Sequence, residues 1–256
     1  MKVIITGFLL ITMLALPAPG YADQWIQRPG LATDIGIGGD GSVWVIGTHH
    51  VGTGFDFGIH RWILTNSTWE DINGGGVRID VDENGNPWIV NSKNQIFHRL
   101  NDNWVQLPGL ATDVGVGADG SVWIIGTNPV GSGKDLGVHR WTGSAWEAVD
   151  GGGIRIDVDD NGNPGIVNSR NQIFHRSDNQ WVQLPGLAKD IGVGSDNVWI
   201  IGTNPVGDGY DFGVHRWTGS TWQAFDGGGV QIAVGFPGLP WIVNSKGNIF
   251  QRVPIK

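Results

Sequence analysis

The chain contains no cysteine. That excludes a disulfide framework, a thiolate zinc site and a cysteine nucleophile together. Methionine is nearly absent, at two residues, and charged side chains fill only 16% of the 256 positions. Lysine and arginine number 16 against 24 aspartates and glutamates, a net charge of −8, and no basic run occurs. A nucleic-acid binder needs a cationic footprint to displace counterions, so no nucleic-acid partner is expected. Beyond residue 22 there is no long apolar run, so no later segment can cross a membrane as a helix and membrane insertion is not expected. No phosphate-binding loop, dinucleotide fingerprint or serine elbow is present, and no cofactor is expected.

Glycine and tryptophan are abundant instead. Glycine supplies 43 residues, about 17% against a usual share of roughly 7%. It follows no three-residue period, which excludes collagen. Fourteen tryptophans and an apolar share of 40% exclude disorder. Short β-type runs between glycine turns predict an all-β chain. The N-terminus reads as an export signal. Lys2 precedes an apolar run from Val3 to Ala18, and Gly20 and Ala22 suit cleavage before Asp23. The alternative, a membrane anchor, is disfavoured by a short run ending in Pro-Ala-Pro-Gly. The expectation is a signal peptide at 1–22 and one exported domain at 23–256, secreted or periplasmic, with net charge −9 once Lys2 is lost.

Repeats organise the mature chain. The stretch Trp25-Ile-Gln-Arg-Pro-Gly-Leu-Ala-Thr-Asp-Ile-Gly returns at Trp104 and at Trp181, offsets of 79 and 77 residues. Each long unit splits into two halves of one grammar. An alternating strand leads through a turn to a Trp strand, then an Ile/Val/Phe-His-Arg strand, then a short Trp strand. Six units of four strands predict a six-bladed β-propeller with its blades in pseudo-threefold pairs. The chain begins with a fourth-strand element at Trp25 and ends after the third-strand element Ile249–Arg252. The N-terminal strand is therefore expected to complete the last blade. All fourteen tryptophans have repeat addresses, which favours packing between blades. Gly165 stands where unit 4 should carry its second-strand Trp, so a void or a filling neighbour is expected there.

Several motifs invite chemistry. Asp80, Asp82 and Asn84, and again Asp157, Asp159 and Asn161, resemble the start of a calcium loop. Position 12 is Asn91 or Asn168 rather than Glu, and Pro87 and Pro164 follow closely, so a hairpin turn is preferred and a surface Ca2+ site is the alternative. His-Arg pairs recur at His60, His98, His139, His175 and His215. Neighbouring strand residues point to opposite faces, which argues for a structural or repeated-binding role. Asp34, Asp113 and Asp190 repeat too, so no single catalytic carboxylate pair stands out and no enzyme is expected. Odd-numbered units carry long glycine-rich loops between their second and third strands. These place Phe55, Asp56 and Phe57, then Asp135, then Tyr210, Asp211 and Phe212, at equivalent positions. Carboxylate beside ring suits a saccharide, with acceptors for hydroxyls and an apolar face for stacking, and these are the candidate ligand residues.

The units Trp104–Gly117, Asp119–Trp123 and Val138–Trp141 resemble the tectonin repeat, and the likeness spans residues 24–253. The family includes the fish egg lectin and tachylectin-1 types. The resemblance implies a six-bladed propeller that binds glycans or lipopolysaccharide-like surface polysaccharides. Two departures are visible: those animal lectins commonly carry disulfides, and here long and short units alternate. The expected function is multivalent, non-catalytic carbohydrate binding, with a protein-interaction platform lacking sugar affinity as the alternative.

Overall fold

Short Ile/Val/Trp runs closed by glycine turns can only pair laterally, and among the described residues there is no helix. The computed structural model describes residues 23–255 except 132 and 196, so the expected signal peptide at 1–22 lies outside the described residues. Chain order gives β1 (Asp23–Leu31), β2 (Asp34–Ile37), β3 (Val43–His50), β4 (Phe57–Ile63), β5 (Thr68–Gly76), β6 (Arg78–Val81), β7 (Pro87–Val90) and β8 (Gln95–Leu100). There follow β9 (Asn103–Val116), β10 (Val122–Pro129), β11 (Leu136–Trp141), β12 (Trp146–Gly153), β13 (Arg155–Val158), β14 (Pro164–Val167) and β15 (Gln172–Ser177). The remainder are β16 (Gln180–Gly194), β17 (Asn197–Val206), β18 (Asp211–Trp217), β19 (Trp222–Gly229), β20 (Gln231–Val234), β21 (Pro240–Val243) and β22 (Asn248–Pro254).

All pairing is antiparallel. Strands β2 to β5 form one sheet, β6 to β12 and β13 to β19 form two sheets of seven, and β1 joins β20 to β22 in the order β1-β22-β21-β20. Six separate four-stranded sheets were expected, and the two long strands make the difference. Strand β9 pairs with β8 up to Leu110 and with β10 from Ala111 onward. Strand β16 changes partner in the same way between Leu187 and Ala188. The pairing continues through these crossings, kinked at Gly109 and Gly186 where φ is positive, so one strand serves two sheets. At the corresponding crossing between β1 and β2 it breaks at Ala32–Thr33.

Burial sets the radial order. The first and second strands of a unit, such as β2 and β7, are buried on both faces, whereas fourth strands such as β5 and β19 are mostly open to solvent. The first strands stand side by side around an axis: β2 beside β6, then β9, β13, β16 and β20, and β20 again beside β2. The architecture is a β-propeller. Six apolar clusters occupy its seams, one between each unit and the next. The second-strand residues Trp44, Trp88, Trp123, Trp199 and Trp241 are buried in them, each contributing about 150–250 Å2 of covered surface. At Gly165 the missing ring leaves no room to spare. A Cβ there would lie 2.8 Å from Ile191 Cδ1 and Val193 Cγ2, so the neighbours have filled the space.

As the sequence predicted, the N-terminal strand closes the last sheet. Strand β1 runs along β22 from Asp23↔Pro254 to Leu31↔Asn248. The Trp25 indole N–H donates to the Asp226 carbonyl at 2.8 Å, and the Arg252 guanidinium lies 5.2 Å from the Trp25 ring centroid while bonding the Asp226 carboxylate. Trp25→Ala removes the ring that β1 contributes to this seam. Because the indole is partly exposed, its loss is expected to cost about 2–3 kcal/mol, short of the ~3–5 kcal/mol of a fully buried Trp. Urea melts that leave the variant as stable as the parent would show that closure does not depend on this residue.

Candidate functional site

Alternation along the first strands sends one set of residues to the propeller axis. Asp34, Asp113 and Asp190 from odd units alternate there with Arg78, Arg155 and Gln231 from even units, and Asp80 and Asp157 lie two residues further along the same strands. The ion pairs are long: Arg78 is 3.8 Å from Asp34 and 3.6 Å from Asp113, and Arg155 is 3.6 Å from Asp190. Gln231, with its amide oriented to satisfy both groups, donates to Asp190 at 2.9 Å and accepts from Arg78 at 3.1 Å. Burial therefore outweighs the guanidinium charges. It pushes Asp34 up to about 6 against the pull of Arg78, and Asp190 up to about 7 against that of Arg155. Asp113 is raised by the same cause. Asp80 rises well above the ordinary carboxylate range through burial and then the charge of Asp157, and Asp157 rises through burial with Asp190 and Asp113 adding.

The calcium-loop residues separate. The Asp80 carboxylate accepts from the Val116 N–H, whereas Asp82 turns back on its own hairpin to accept from the N–H groups of Asn84 and Asn86. Asp157 and Asp159 divide in the same way, between Val193 and the turn amides of Asn161 and Asn163. Among the described residues no group of three or more His, Cys, Asp or Glu is placed to hold a metal ion. The His-Arg pairs serve the sheets. Each third-strand arginine, from Arg61 to Arg252, lies 5.2–5.8 Å from a Trp ring centroid. His98 stacks on Trp88 at 4.1 Å and bonds Asp82.

The loop residues are held in three different ways. Phe55 and Tyr210 are loop tips, 78% and 71% exposed. Phe57 and Phe212 turn inward onto the apolar clusters of their seams. The carboxylates join units: one oxygen of Asp56, Asp135 and Asp211 accepts from the N–H of Ser92, Ser169 and Ser245 at 2.6, 2.5 and 2.6 Å. Asp211 also lines a shallow groove of about 540 Å3 with Gly207, Asp208, Phe225 and Lys246.

A second kind of groove, not anticipated from the loops, lies where an even unit hands over to an odd one. The groove entering unit 1 holds about 310 Å3 between Leu31, Thr48, His49, His60, Trp69 and Asp71. The groove entering unit 5 holds about 230 Å3 between Leu187, Thr203, Asn204, His215 and Trp222. Leu110, Thr127, His139 and Trp146 occupy the same repeat positions at unit 3. In all three the indole N–H is spent on the preceding crossing, at Pro29, Pro108 or Pro185, which fixes the ring as a wall. The leucines are about half exposed. The two grooves thus each offer an aromatic wall, an aliphatic wall, a hydroxyl and an imidazole, and unit 3 carries the same residue set at the same positions. A sequence signal existed in the recurring pair Pro-Gly-Leu and Thr/Ala-Trp, but the two lie some forty residues apart and meet only across a seam.

A tectonin domain model matches residues 75–256. The chain belongs to the tectonin family. Tectonin propellers often bind carbohydrate. No curated protein matches the chain. Among solved structures it is similar to a chain described as YCF48 bound to D1 peptide, with TM-score 0.54 and 15% identity over 94% of this chain and 100% of that one. At that identity the likeness supports the propeller fold alone.

The axial carboxylates make a pH test of this tectonin fold. Their protons are held in the folded state at pH values where the unfolded chain has released them. The stability this gives is complete below the ordinary carboxylate range and is lost as pH rises through about 6 to 7. Each tenfold difference in proton affinity between folded and unfolded chain is worth about 1.4 kcal/mol. His215, whose imidazole is pushed down by burial, acts in the opposite sense. The melting temperature is expected to rise from pH 8 to pH 5, and Asp190→Asn is expected to flatten that rise. Parallel parent and variant profiles would locate the dependence elsewhere.

Proposed function

We propose that this tectonin propeller is an exported, non-catalytic carbohydrate-binding protein that engages surface glycans or lipopolysaccharide-like polysaccharides at several points at once. The observation that carries the reading is the recurrence of one groove chemistry at the even-to-odd seams. An indole and a leucine can cover the C–H face of a sugar ring while Thr, His and Asn side chains meet its hydroxyls. Divided at Ala111 and Ala188, the two long strands would give six four-stranded blades in pseudo-threefold pairs, and the grooves would then stand at three equivalent stations on one rigid body. Rigid spacing converts weak single sites into avidity without new contacts. Of the loop residues Phe55, Asp56, Phe57, Asp135, Tyr210, Asp211 and Phe212, the exposed tips Phe55 and Tyr210 would extend the binding surface, while the two inward phenylalanines and the three bonded aspartates would hold the loops in place. Cleavage after Ala22 would release the domain to the periplasm or the exterior, and no cofactor takes part.

The test is a broad glycan array that includes bacterial polysaccharides, probed with residues 23–256 and with Trp222→Ala. Binding competed by free monosaccharide is expected, and the variant should retain the cooperative melt but lose at least about fivefold in apparent affinity through lost avidity. A folded protein that is silent across the array would overturn the carbohydrate reading in favour of a protein-interaction platform.

A further inference from the structure

The grooves differ at two of their positions. Groove 5 is lined by Asn204 where groove 1 has His49, and the strand position of Asp71 in groove 1 is taken by Ala224 in unit 5. The register makes the correspondence strict. Asp71 faces His60 across β4 and β5, Ala148 faces His139 across β11 and β12, and Ala224 faces His215 across β18 and β19. In unit 1 alone, therefore, the groove imidazole has a carboxylate partner, with His60 Nδ1 2.8 Å from Asp71 Oδ1. In unit 3 the His139 Nδ1 lies instead 3.1 Å from the Gly137 carbonyl.

The Asp71 side chain is 92% exposed while His60 is largely covered. The imidazole thus acts as an anchor: its bond to Oδ1 holds in one orientation a carboxylate that lines the groove. An ionised carboxylate only accepts hydrogen bonds and has about four lone-pair directions. His60 uses one, so two neighbouring hydroxyls of a ligand can be met by the rest. Trp69, Leu31 and Ile249 form the apolar walls of the same groove. Holding the acceptor in place before binding removes part of the ordering cost that an unanchored side chain would impose.

We propose that groove 1 is a separate subsite, selective for a neutral sugar that presents two adjacent hydroxyls, and that Asp71 is the residue determining this selectivity. The proposal rests on the carbohydrate reading. It predicts unequal sites on a pseudo-symmetric body: one tighter, diol-dependent site at unit 1 and weaker sites at units 3 and 5.

Calorimetric titration with the methyl glycosides of glucose, galactose and mannose, and with their monodeoxy forms, tests it. The parent protein should show one tighter class per chain that is weakened by removal of one hydroxyl of the pair. Asp71→Ala, which installs the residue found in the other two units at an exposed position, should weaken that class by about ten- to a hundredfold and leave the weaker class and the melt unchanged. Ala224→Asp should raise the number of tighter sites from one to two, because His215 already stands opposite. Three equal sites indifferent to Asp71→Ala would overturn the proposal and leave carbohydrate binding intact. Absence of saccharide binding by the parent protein would overturn both.

Discussion

The propeller depends on a hydrogen bond between units at its axis. First strands lie side by side without backbone pairing between them, so a buried amide on each inner edge needs a partner. A carboxylate of the preceding unit supplies it. Asp34 accepts from Ile79, Asp80 from Val116, Asp113 from Ile156, Asp157 from Val193 and Asp190 from Ile232, at 2.5–3.1 Å. Close approach is a condition of these bonds. Gly36 provides it, since a Cβ there would lie 2.7 Å from the Asp80 Cα. Five seams carry the bond. The sixth, leaving unit 6, has Ala233 where Asp80 and Asp157 stand, and Gln231 where Arg78 and Arg155 stand. One carboxylate and one guanidinium are thus lost together there, which leaves the net charge at the axis unchanged by the replacement. That seam is the one β1 closes from the rim.

Two kinds of seam result, and they divide the labour. From odd to even units, the long loop reaches forward and its aspartate binds the backbone of the next unit's short turn. From even to odd units the crossing chain passes in front of an indole and leaves a groove. The first kind fixes the spacing of the units, and the second presents surface. Because the two alternate, the groove surface can vary without interrupting the loop contacts that hold the ring in register.

Much of the fold was legible because repetition multiplies weak signals. One Trp-containing strand says little, but fourteen tryptophans with repeat addresses fix the strand order, and the unmatched ends predict the β1–β22 closure. The continuity of β9 and β16 was not legible, because each repeat unit was read as its own sheet, and a positive-φ glycine at Gly109 and Gly186 lets the strand kink and go on into the next. At the axis, Asp34, Asp113 and Asp190 were visible as a repeated set, but Arg78, Arg155 and Gln231 were not, although the period-2 pattern Arg78-Ile-Asp80 places both charges on one face. The loop aspartates read as sugar acceptors because their partners, the amides of Ser92, Ser169 and Ser245, have no side-chain signature. The grooves leave no mark in the repeat pattern, since their walls come from separate units, and a seam is a property of the ring rather than of the repeat.

Closure by the first strand also constrains the order of events during synthesis. Arg28 bonds Gln251 across 223 positions of sequence, so the strand at Asp23–Leu31 must wait for β22 before their sheet can form. Units 2 to 5 can assemble as the chain lengthens, but the ring stays open until the C-terminus is free. The last sheet is therefore the one part of the ring whose assembly cannot begin before synthesis reaches its final strand.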